Sequence, residues 1–230
     1  MPDLNSLQQA LGISFNDRSL LEQALVHSSY SNENPAFTAH SNERLEFLGD
    51  AVLGLIIAER LHHGLPPLSE GEMTRLRSTL VRQSCLARIA ATIGLGNYLY
   101  LGKGEEAGGG RNKPKNLAAA LEAVIAAVYL DHGPTIAQEF VLRLFDTELD
   151  KVLAQGSGVD YKSQLQEFTQ AKWQLTPTYH LVAAAGPDHD KTFTVEVRID
   201  NTVLAKGSGK SKKAAETEAA RAALRRVFTQ

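Results

Sequence analysis

The chain has 230 residues, enough for one large domain or two smaller ones. Hydrophobic residues make up 43% of it, which supports a packed core and excludes a chain that is disordered throughout. The net charge is −2, but residues 160–230 carry +3 and residues 1–159 carry −5, which fits a metal-binding catalytic part joined to a polyanion-binding part.

The first two thirds of the chain are predicted to be helical, because apolar residues recur there at helical spacing. The predicted helices are Leu4–Leu11, Leu20–His27, Glu43–His62, Gly71–Ile93, Leu117–Leu130 and Ile136–Leu153. Ser69-Glu70-Gly71-Glu72 has the form of a capping box, which predicts the start of the fourth helix. The segment from Leu101 to Asn116 is Gly-rich and charged, which predicts a mobile loop.

The pattern changes after residue 153. Segment 154–159 is small and polar, with no apolar period, which predicts a flexible linker. The elements predicted after it are Tyr161–Lys172 (helix), Thr178–Ala185, Lys191–Ile199 and Thr202–Ala205 (strands) and Ser211–Val227 (helix). The predicted fold is therefore an all-α domain over residues 1–153, a linker over 154–159 and a small α+β (α-β-β-β-α) domain over 160–230.

Nothing in the sequence predicts secretion or insertion into a membrane. Cys85 is the only cysteine, so no internal disulfide can form, and this suits a reducing compartment. The N-terminus lacks the basic flank and apolar run of a secretory signal. The longest nearly uncharged stretch, Asn116 to Leu130, is shorter than a membrane span and contains Glu122. We therefore expect a cytoplasmic protein without membrane contact.

Acidic residues line one side of the predicted helix Glu43–His62. At about 100° per residue, Glu43, Glu46 and Asp50 lie within an arc of roughly 60°. The next segment, residues 51–58, is apolar nearly all round, which predicts a buried helix. Carboxylates at the edge of a buried helix require a compensating charge, either a metal ion or an arginine.

A second apolar helix contains a similar anomaly. Glu122 is the only charged residue of Leu117–Leu130. Carboxylate oxygens from two packed helices suit Mg²⁺ or Mn²⁺, which can activate water and stabilise charge on a phosphate. The alternatives are surface ion pairs of Glu43 and Glu46 with an arginine such as Arg44, and a core acid with its own partner at Glu122. Two acidic anomalies on two apolar helices favour the metal site.

The segment Asn42-Glu43-Arg44-Leu45-Glu46-Phe47-Leu48-Gly49-Asp50-Ala51 resembles the signature of the ribonuclease III family. The similarity extends to residues 24–30, 70–74 and 101–105 and, with the C-terminal part, covers essentially the whole chain. It implies a homodimer that cleaves double-stranded RNA by Mg²⁺-dependent hydrolysis, with Mn²⁺ able to substitute. The implied products carry 5′-phosphates and short 3′ overhangs, and the implied substrates are ribosomal RNA precursors, messenger RNAs and other duplexes.

The resemblance implies a role for each acid of the signature. Glu46 and Glu122 would hold the metal ion, and Asp50 would help to hold it and orient the attacking water, so that Asp50 and Glu122 are the catalytic pair. Glu43 and Glu70 match auxiliary acidic positions near the dimer valley. For Glu70, the alternative is a favourable charge at a helix N-terminus.

Two further positions of the first domain bear on the resemblance. Phe47 matches an aromatic side chain that inserts into the partner subunit, and its alternative is ordinary core packing. Where the family has Asp-x-x-Glu, this chain reads Ala119-Ala120-Leu121-Glu122, and alanine cannot bind a metal ion. Either water or another acid fills this position, or the chain is a double-stranded RNA-binding regulator that does not cleave, or a catalytically impaired variant.

Residues 160–228 resemble a double-stranded RNA-binding domain. The resemblance places Ser163, Gln166 and Glu167 on the exposed face of the first helix, against the minor groove of the RNA. His189 would lie in a loop, Gly186-Pro187-Asp188-His189, that enters the next minor groove. The cluster Lys210, Lys212 and Lys213 adds positive charge at a helix N-terminus, where phosphate binds. The alternative for this cluster is a solvated helix start.

Overall fold

The structure is a computed structural model that describes residues 2–37, 39–64, 67–154, 161–187 and 190–228. The chain divides into two compact units. The first, the helical unit, consists of Met1–Leu61 and Met73–Ser157, and the second, the α/β unit, of His62–Glu72 and Gly158–Gln230. The predicted fold class is confirmed, because a helical N-terminal part precedes the order α-β-β-β-α. The predicted linker 154–159 lies outside the described residues except for Ala154, so the domain boundaries stay a prediction.

The helical part is organised around one long helix. The helices before residue 155 are α1 Leu4–Leu11, α2 Arg18–Ala24, α3 Ser28–Glu33, α4 Glu43–His62, α5 Glu70–Val81, α6 Gln83–Thr92, α7 Lys103–Ala107 and α8 Pro114–Ala154. Helices α2 and α6 pack against α8, whose residues 123–128 are completely buried. Helix α8 is interrupted at Gly133, where φ is 82°, and Pro134 restarts it.

Helix α8 is the one element of the described residues that is long and apolar enough to cross a membrane by length and composition alone. However, 56% of its most apolar window is already buried within the protein. A core helix of a soluble protein passes the same test, so this property is weak evidence for a membrane span.

Three predictions for the helical part were wrong in detail. Helix α2 ends at Ala24, short of His27, because the backbone of 25–27 bonds to Tyr100 and Asn42. The predicted helix Gly71–Ile93 is two helices, because Arg82 is extended (φ −68°, ψ 147°) and its carbonyl accepts the first hydrogen bonds of α6. The capping box is confirmed, since the Ser69 amide and the Glu72 carboxylate are 2.8 Å apart and the Ser69 hydroxyl accepts from the Glu72 amide.

The third wrong prediction concerns the segment from Leu101 to Asn116, which is structured and is not a mobile loop. It contains α7 and a 3-10 turn at Gly110–Asn112, and a second such turn, Leu95–Tyr98, precedes it. The Arg111 guanidinium donates to the carbonyls of Gly96, Asn97 and Leu99, tying the two turns together. The sequence did not predict this ordered structure, because a Gly-rich composition indicates a flexible backbone and does not show which side chains will restrain that backbone.

The α/β unit folds as predicted, with small shifts in element bounds. Its elements are α9 Tyr161–Trp173, β1 Thr178–Ala185, β2 Thr192–Ile199, β3 Thr202–Gly209 and α10 Lys212–Phe228. The strands form an antiparallel sheet in the order β1-β2-β3. Leu165 of α9, Val195 and Val197 of β2 and the alanines of α10 form its core. Strand β3 extends four residues beyond the predicted Ala205 because Lys206–Gly209 pair with β2.

Candidate active site and RNA-binding surface

The backbones of α4 and α8 touch at Gly49 and Glu122. A Cβ atom at Gly49 would lie 1.8 Å from the Glu122 carbonyl oxygen, so no side chain other than hydrogen fits there. A glycine inside a helix costs roughly 1 kcal/mol relative to alanine, and close backbone approach explains its presence here. This contact brings the acids of the α4 signature to Glu122.

The predicted acids of α4 line its solvent side around this contact. Glu43 is the first residue of the helix, is exposed, and accepts a hydrogen bond of 2.9 Å from the Ser41 hydroxyl. Glu46 is half-buried and Asp50 is exposed. Glu122 is half-buried within an α8 segment that is otherwise buried. Glu70 begins α5 and is exposed, in the position expected of a favourable N-terminal charge.

Two of these carboxylates, those of Glu46 and Glu122, have a raised pKa. Burial, followed by the charges of Asp50 and Glu46, raises the pKa of Glu122 to about 7. Burial is also the main cause of a raised pKa at Glu46, and the charges of Glu43 and Asp50 add to it. An acid with its pKa near neutrality lacks a compensating cation. The alternative of a core acid with its own partner at Glu122 is therefore not supported.

The donor set of Glu46, Asp50 and Glu122 suits a hard divalent cation, since carboxylate oxygens are its preferred ligands and mutual repulsion makes a cation favourable. Within the described ranges, no three His, Cys, Asp or Glu side chains converge closely enough to form a ready-made metal site. The three acids are thus electrostatically coupled without a preformed ligand shell. Mg²⁺ usually keeps several water ligands, so a site with few direct protein ligands fits it.

Two residues beside this acidic cluster (Glu46, Asp50 and Glu122) were missed by sequence reasoning. The charge of Lys115 and the electrostatic effect of His27 both lower the pKa of Glu46, Lys115 the more. The Nδ1 atom of His27 caps α3 by accepting from the Ser29 amide at 3.2 Å and lies 2.8 Å from the Ser29 hydroxyl. The sequence signal for Lys115 was its helical spacing from Glu122. His27 had no signal, because its position depends on the early end of α2.

Ala119, for which the resemblance implies an aspartate, lies on α8. Ala119 stands one turn before Glu122 and is half-buried, whereas Ala118 and Ala120 are buried. The methyl group of Ala119 provides no metal ligand.

Phe47 points to solvent, with 82% of its surface exposed, so its alternative of core packing is wrong for the single chain. Leu55, two turns further along α4, is 69% exposed. Leu55 lines a groove of about 380 Å³, together with Ala51, Ile56, Tyr129 and Pro134, among others. Contiguous apolar surface of this kind is typical of a protein interface.

The predicted RNA-contacting residues of α9 share one exposed face. Ser163, Gln166 and Glu167 are exposed, while Tyr161 and Leu165 on the opposite side are buried in the core. His189 lies outside the described residues, so its placement stays a prediction.

The predicted lysines cluster at the start of α10. Lys212 and Lys213 are its first two residues, and the Ser211 hydroxyl caps the helix by accepting from the Ala214 amide at 3.1 Å. Both lysines are exposed. Lys210 is also exposed, but its ammonium lies 2.6 Å from the Asp190 carboxylate. The structure therefore distinguishes Lys210 from the other two, which the sequence did not.

Comparison with protein families gives two matches that together cover most of the chain. Residues 17–149 match the family described as ribonuclease-III-like, and residues 161–227 match the double-stranded RNA binding motif. The first match contains the whole acidic cluster, and the second contains α9 to α10.

Named relatives align with nearly the whole chain and nearly their own whole length. A protein of Dehalococcoides mccartyi named ribonuclease 3 is 55% identical over 97% of this chain and 94% of its own length. One of Syntrophobacter fumaroxidans with the same name is 50% identical over 96% of this chain and 93% of its own. The solved nuclease domain of ribonuclease III from Campylobacter jejuni aligns with a TM-score of 0.59 at 39% identity, over 63% of this chain and 97% of that domain. A region of that domain takes part in dimer formation.

Proposed function

The chain belongs to the ribonuclease III family, and from this premise we propose that it cuts double-stranded RNA by metal-assisted hydrolysis at the acidic cluster. The observation that carries the proposal is Glu122, which touches the α4 backbone at Gly49 and has its pKa raised to about 7 by burial and two neighbouring carboxylates. Carboxylates perturbed in this way concentrate at catalytic sites.

Nucleases of this family depend on a metal ion, and carboxylate donors favour Mg²⁺, with Mn²⁺ able to substitute. Glu46 and Glu122 would hold the ion, which when bound supplies an activated water and positive charge beside the phosphate. Asp50 is exposed beside them, where it can orient the attacking water toward phosphorus. Glu43 and Glu70 are proposed to act on the RNA and not on the ion. The products carry 5′-phosphates.

The α/β unit supplies affinity for the duplex. Ser163, Gln166 and Glu167 present polar groups to the wide minor groove, and Lys212 and Lys213 bind phosphates at the start of α10. His189 is proposed to enter a second minor groove. Recognition of this kind reads the shape and 2′-hydroxyls of the duplex and not its base sequence.

We propose that the working enzyme is a homodimer. Phe47 and Leu55 lie on the same side of α4 with apolar surface exposed, and the adjoining groove offers a receptor for the partner's side chain. Two active centres, each cutting one strand, account for short 3′ overhangs. Light scattering should give the dimer mass for the chain, and the substitution Phe47→Ala should shift it toward the monomer. A dimer of unchanged stability would assign the interface to another surface.

The proposed substrates are precursors of ribosomal RNA, messenger RNAs and other duplexes in the cytoplasm. The one cysteine supports this location, since burial raises the pKa of Cys85 to about 11 and leaves an unreactive, unpaired thiol.

A second candidate function is binding of duplex RNA without cleavage. Ala119 favours it, because the metal site lacks the carboxylate that the resemblance leads us to expect. The presence of Glu46, Asp50 and Glu122 favours the nuclease.

The deciding experiment incubates the protein with a long end-labelled RNA duplex, with Mg²⁺ and with EDTA, beside the Ala119→Asp variant. Cleavage by the unmodified chain that requires Mg²⁺ supports the nuclease and shows that three acids suffice. Cleavage by the Asp variant alone means that this chain is impaired at Ala119. Binding without cleavage by either form supports the RNA-binding regulator instead.

A further inference from the structure

Helix α8 carries a lysine on the same face as Glu122. Lys115, Ala119 and Glu122 are spaced by four and three residues, which places them on one side of the helix. Because Ala119 has only a methyl group, the Lys115 ammonium is the next functional group toward the N-terminus along this face. Lys115 is exposed two turns before Glu122 on this face.

Two neighbouring lysines, Lys113 and Lys115, differ in whether an acidic side chain pairs with them. Lys113 pairs with Glu105 at 2.8 Å, which fixes the segment before α8. Within the described parts of the chain, no hydrogen bond or ion pair holds the Lys115 ammonium, which is exposed. Of the neighbouring charges, that of Lys115 has the largest effect on the pKa of Glu46, which it lowers. A cation therefore stands beside the acids without being neutralised by one of them.

We propose that Lys115 contacts the phosphate of the duplex RNA seated at the acidic cluster and stabilises the charge that develops there during hydrolysis. This inference rests on the proposed function. The position of Ala119 lacks a carboxylate, so the site has less negative charge with which to collect metal ions. An ammonium on the same face supplies positive charge to the phosphate directly, and positive charge beside the developing charge of a transition state is strongly stabilising.

The proposal predicts two effects of opposite sign. Lys115 attracts phosphate but repels a divalent cation at Glu46. Removing its charge should slow cleavage and at the same time tighten metal binding in the absence of RNA. A residue that only supports the local fold would weaken both when replaced.

The test compares Lys115→Gln and Lys115→Arg with Lys151→Gln, which removes one lysine charge from the far end of the same helix. Single-turnover cleavage at saturating duplex should fall on the order of 10²-fold in Lys115→Gln, as when other preorganised donors are lost. Lys115→Arg should retain most of the rate, because it keeps the charge. Lys151→Gln should cleave as the parent does.

Two further readouts do not depend on cleavage. Without RNA, Mn²⁺ titrated by electron paramagnetic resonance should bind Lys115→Gln roughly fivefold more tightly. In EDTA, the dependence of log affinity for duplex RNA on log salt should lose about 0.9 of its slope, the value for one phosphate contact. An unchanged Mn²⁺ affinity together with an unchanged salt slope would overturn the proposal whether or not the parent cleaves.

The remaining outcomes separate this inference from the proposed function. Weaker Mn²⁺ binding in Lys115→Gln would make Lys115 a support of the local structure and overturn the phosphate contact. Equal cleavage by the parent and Glu122→Gln would overturn the proposed acidic site, while the salt slope of Lys115→Gln would still report on its phosphate contact.

Discussion

Helix α8 carries two carboxylates that face opposite electrostatic surroundings. Glu148 is 8% exposed and is paired with Arg88 and, at 2.9 Å, with Lys151. Hydrogen bonds from these two cations lower its pKa to about 2. Glu122 lies among like charges, and burial with Asp50 and Glu46 raises its pKa to about 7. The same residue type on the same helix is thus stabilised as a charge at one position and destabilised at the other.

We propose that the difference separates an acid that stabilises the fold from one that takes part in the chemistry. Ionisation of Glu148 stabilises the folded state, because its pKa is lowered there, and its ion pair with Arg88 joins α6 to α8. Ionisation of Glu122 destabilises the folded state, because its pKa is raised there, and a bound cation would relieve the repulsion. Burial of an acid is therefore uninformative until its partners are known.

The largest expected effect comes from exchanging the two acids for glutamine separately. Glu122→Gln should reduce cleavage by a factor on the order of 10³ or more, because it removes a proposed metal ligand. It should leave duplex binding intact and should not lower the free energy of unfolding, because the carboxylate that it removes is destabilised in the folded state. Glu148→Gln should keep the cleavage rate of the folded protein but lower the free energy of unfolding by about 2 kcal/mol, since it leaves Arg88 and Lys151 without their acceptor.

Cleavage rates and urea unfolding of both variants test whether Glu122 is needed for cleavage and Glu148 for stability. A Glu122→Gln protein that unfolds more easily than the parent in metal-free buffer would contradict it, and so would a folded Glu148→Gln protein that cannot cleave.

A second prediction breaks the contact that places Glu122 beside the α4 acids. Gly49→Ala inserts a Cβ atom 1.8 Å from the Glu122 carbonyl oxygen, so the two helices must move apart. We expect a loss of about 3 kcal/mol or more in the free energy of unfolding, the upper range for overpacking. The cleavage rate should fall by more than the increase in unfolded protein accounts for. Gly54→Ala is the matched control, because nothing lies within 4 Å of its added Cβ.

The third prediction uses pH to separate the two acids. The pKa of Glu122 is raised from 4.5 to about 7, so the native state holds a proton that the unfolded state has lost. Stability of the metal-free protein should therefore fall as pH rises from about 4.5 to 7, by about 1–3 kcal/mol. Glu148 has a lowered pKa, so its contribution is complete above 4.5 and is lost as pH falls toward 2.

Urea unfolding between pH 2 and 8, in the presence of a metal chelator, tests the predicted loss of stability both above and below pH 4.5. Glu122→Gln should flatten the decline above pH 4.5, and Glu148→Gln should flatten the decline below it. Mg²⁺ added at pH 8 should stabilise the parent by linkage and leave Glu122→Gln unaffected. A parent whose stability does not change between pH 5 and 8 would contradict the raised pKa of Glu122.

Most of the fold followed from local patterns in the sequence. The bounds of α1 and α4 were predicted to the residue, as was β1, because apolar spacing and turn residues mark them. The errors lie where distant residues decide the backbone. Helix α2 ends early because Asn42 and Tyr100 form hydrogen bonds with residues 25–27, which follow it, and such long-range hydrogen bonds leave no periodic signal.

The acids of the site were predictable because charges on apolar helices are costly and therefore conspicuous. Their environment was not predictable. Glu148 lies among other charged residues in sequence, including Asp146, Asp150 and Lys151, and only the folded structure shows that Arg88, 60 residues away, lies beside it. The role of Gly49 was readable in principle, because an interior helical glycine indicates a close approach, but its partner depended on how α4 and α8 pack.

The smallest expected effect concerns an exposed acid in the α/β unit. Asp190 lies 2.6 Å from Lys210, and Thr192 lies 3.4 Å from the same ammonium. Exposed ion pairs contribute between about 0 and 1 kcal/mol to stability, so Asp190→Asn should barely change unfolding. It should instead free Lys210 for phosphate, tightening duplex binding by roughly twofold to fivefold and steepening the salt dependence by up to about 0.9.

The matched comparison is the pair Lys212→Ala and Lys213→Ala together, at lysines for which the described residues provide no ion pair. That variant should lower the salt slope by about two, whereas Lys210→Gln should lower it by less than one, because Asp190 already neutralises part of its charge. Asp190→Asn combined with Lys210→Gln should match Lys210→Gln alone. Weaker binding by Asp190→Asn would mean that the carboxylate positions Lys210 for RNA. Asp190 would then differ from both Glu148 and Glu122, because it would act through the cation that it holds.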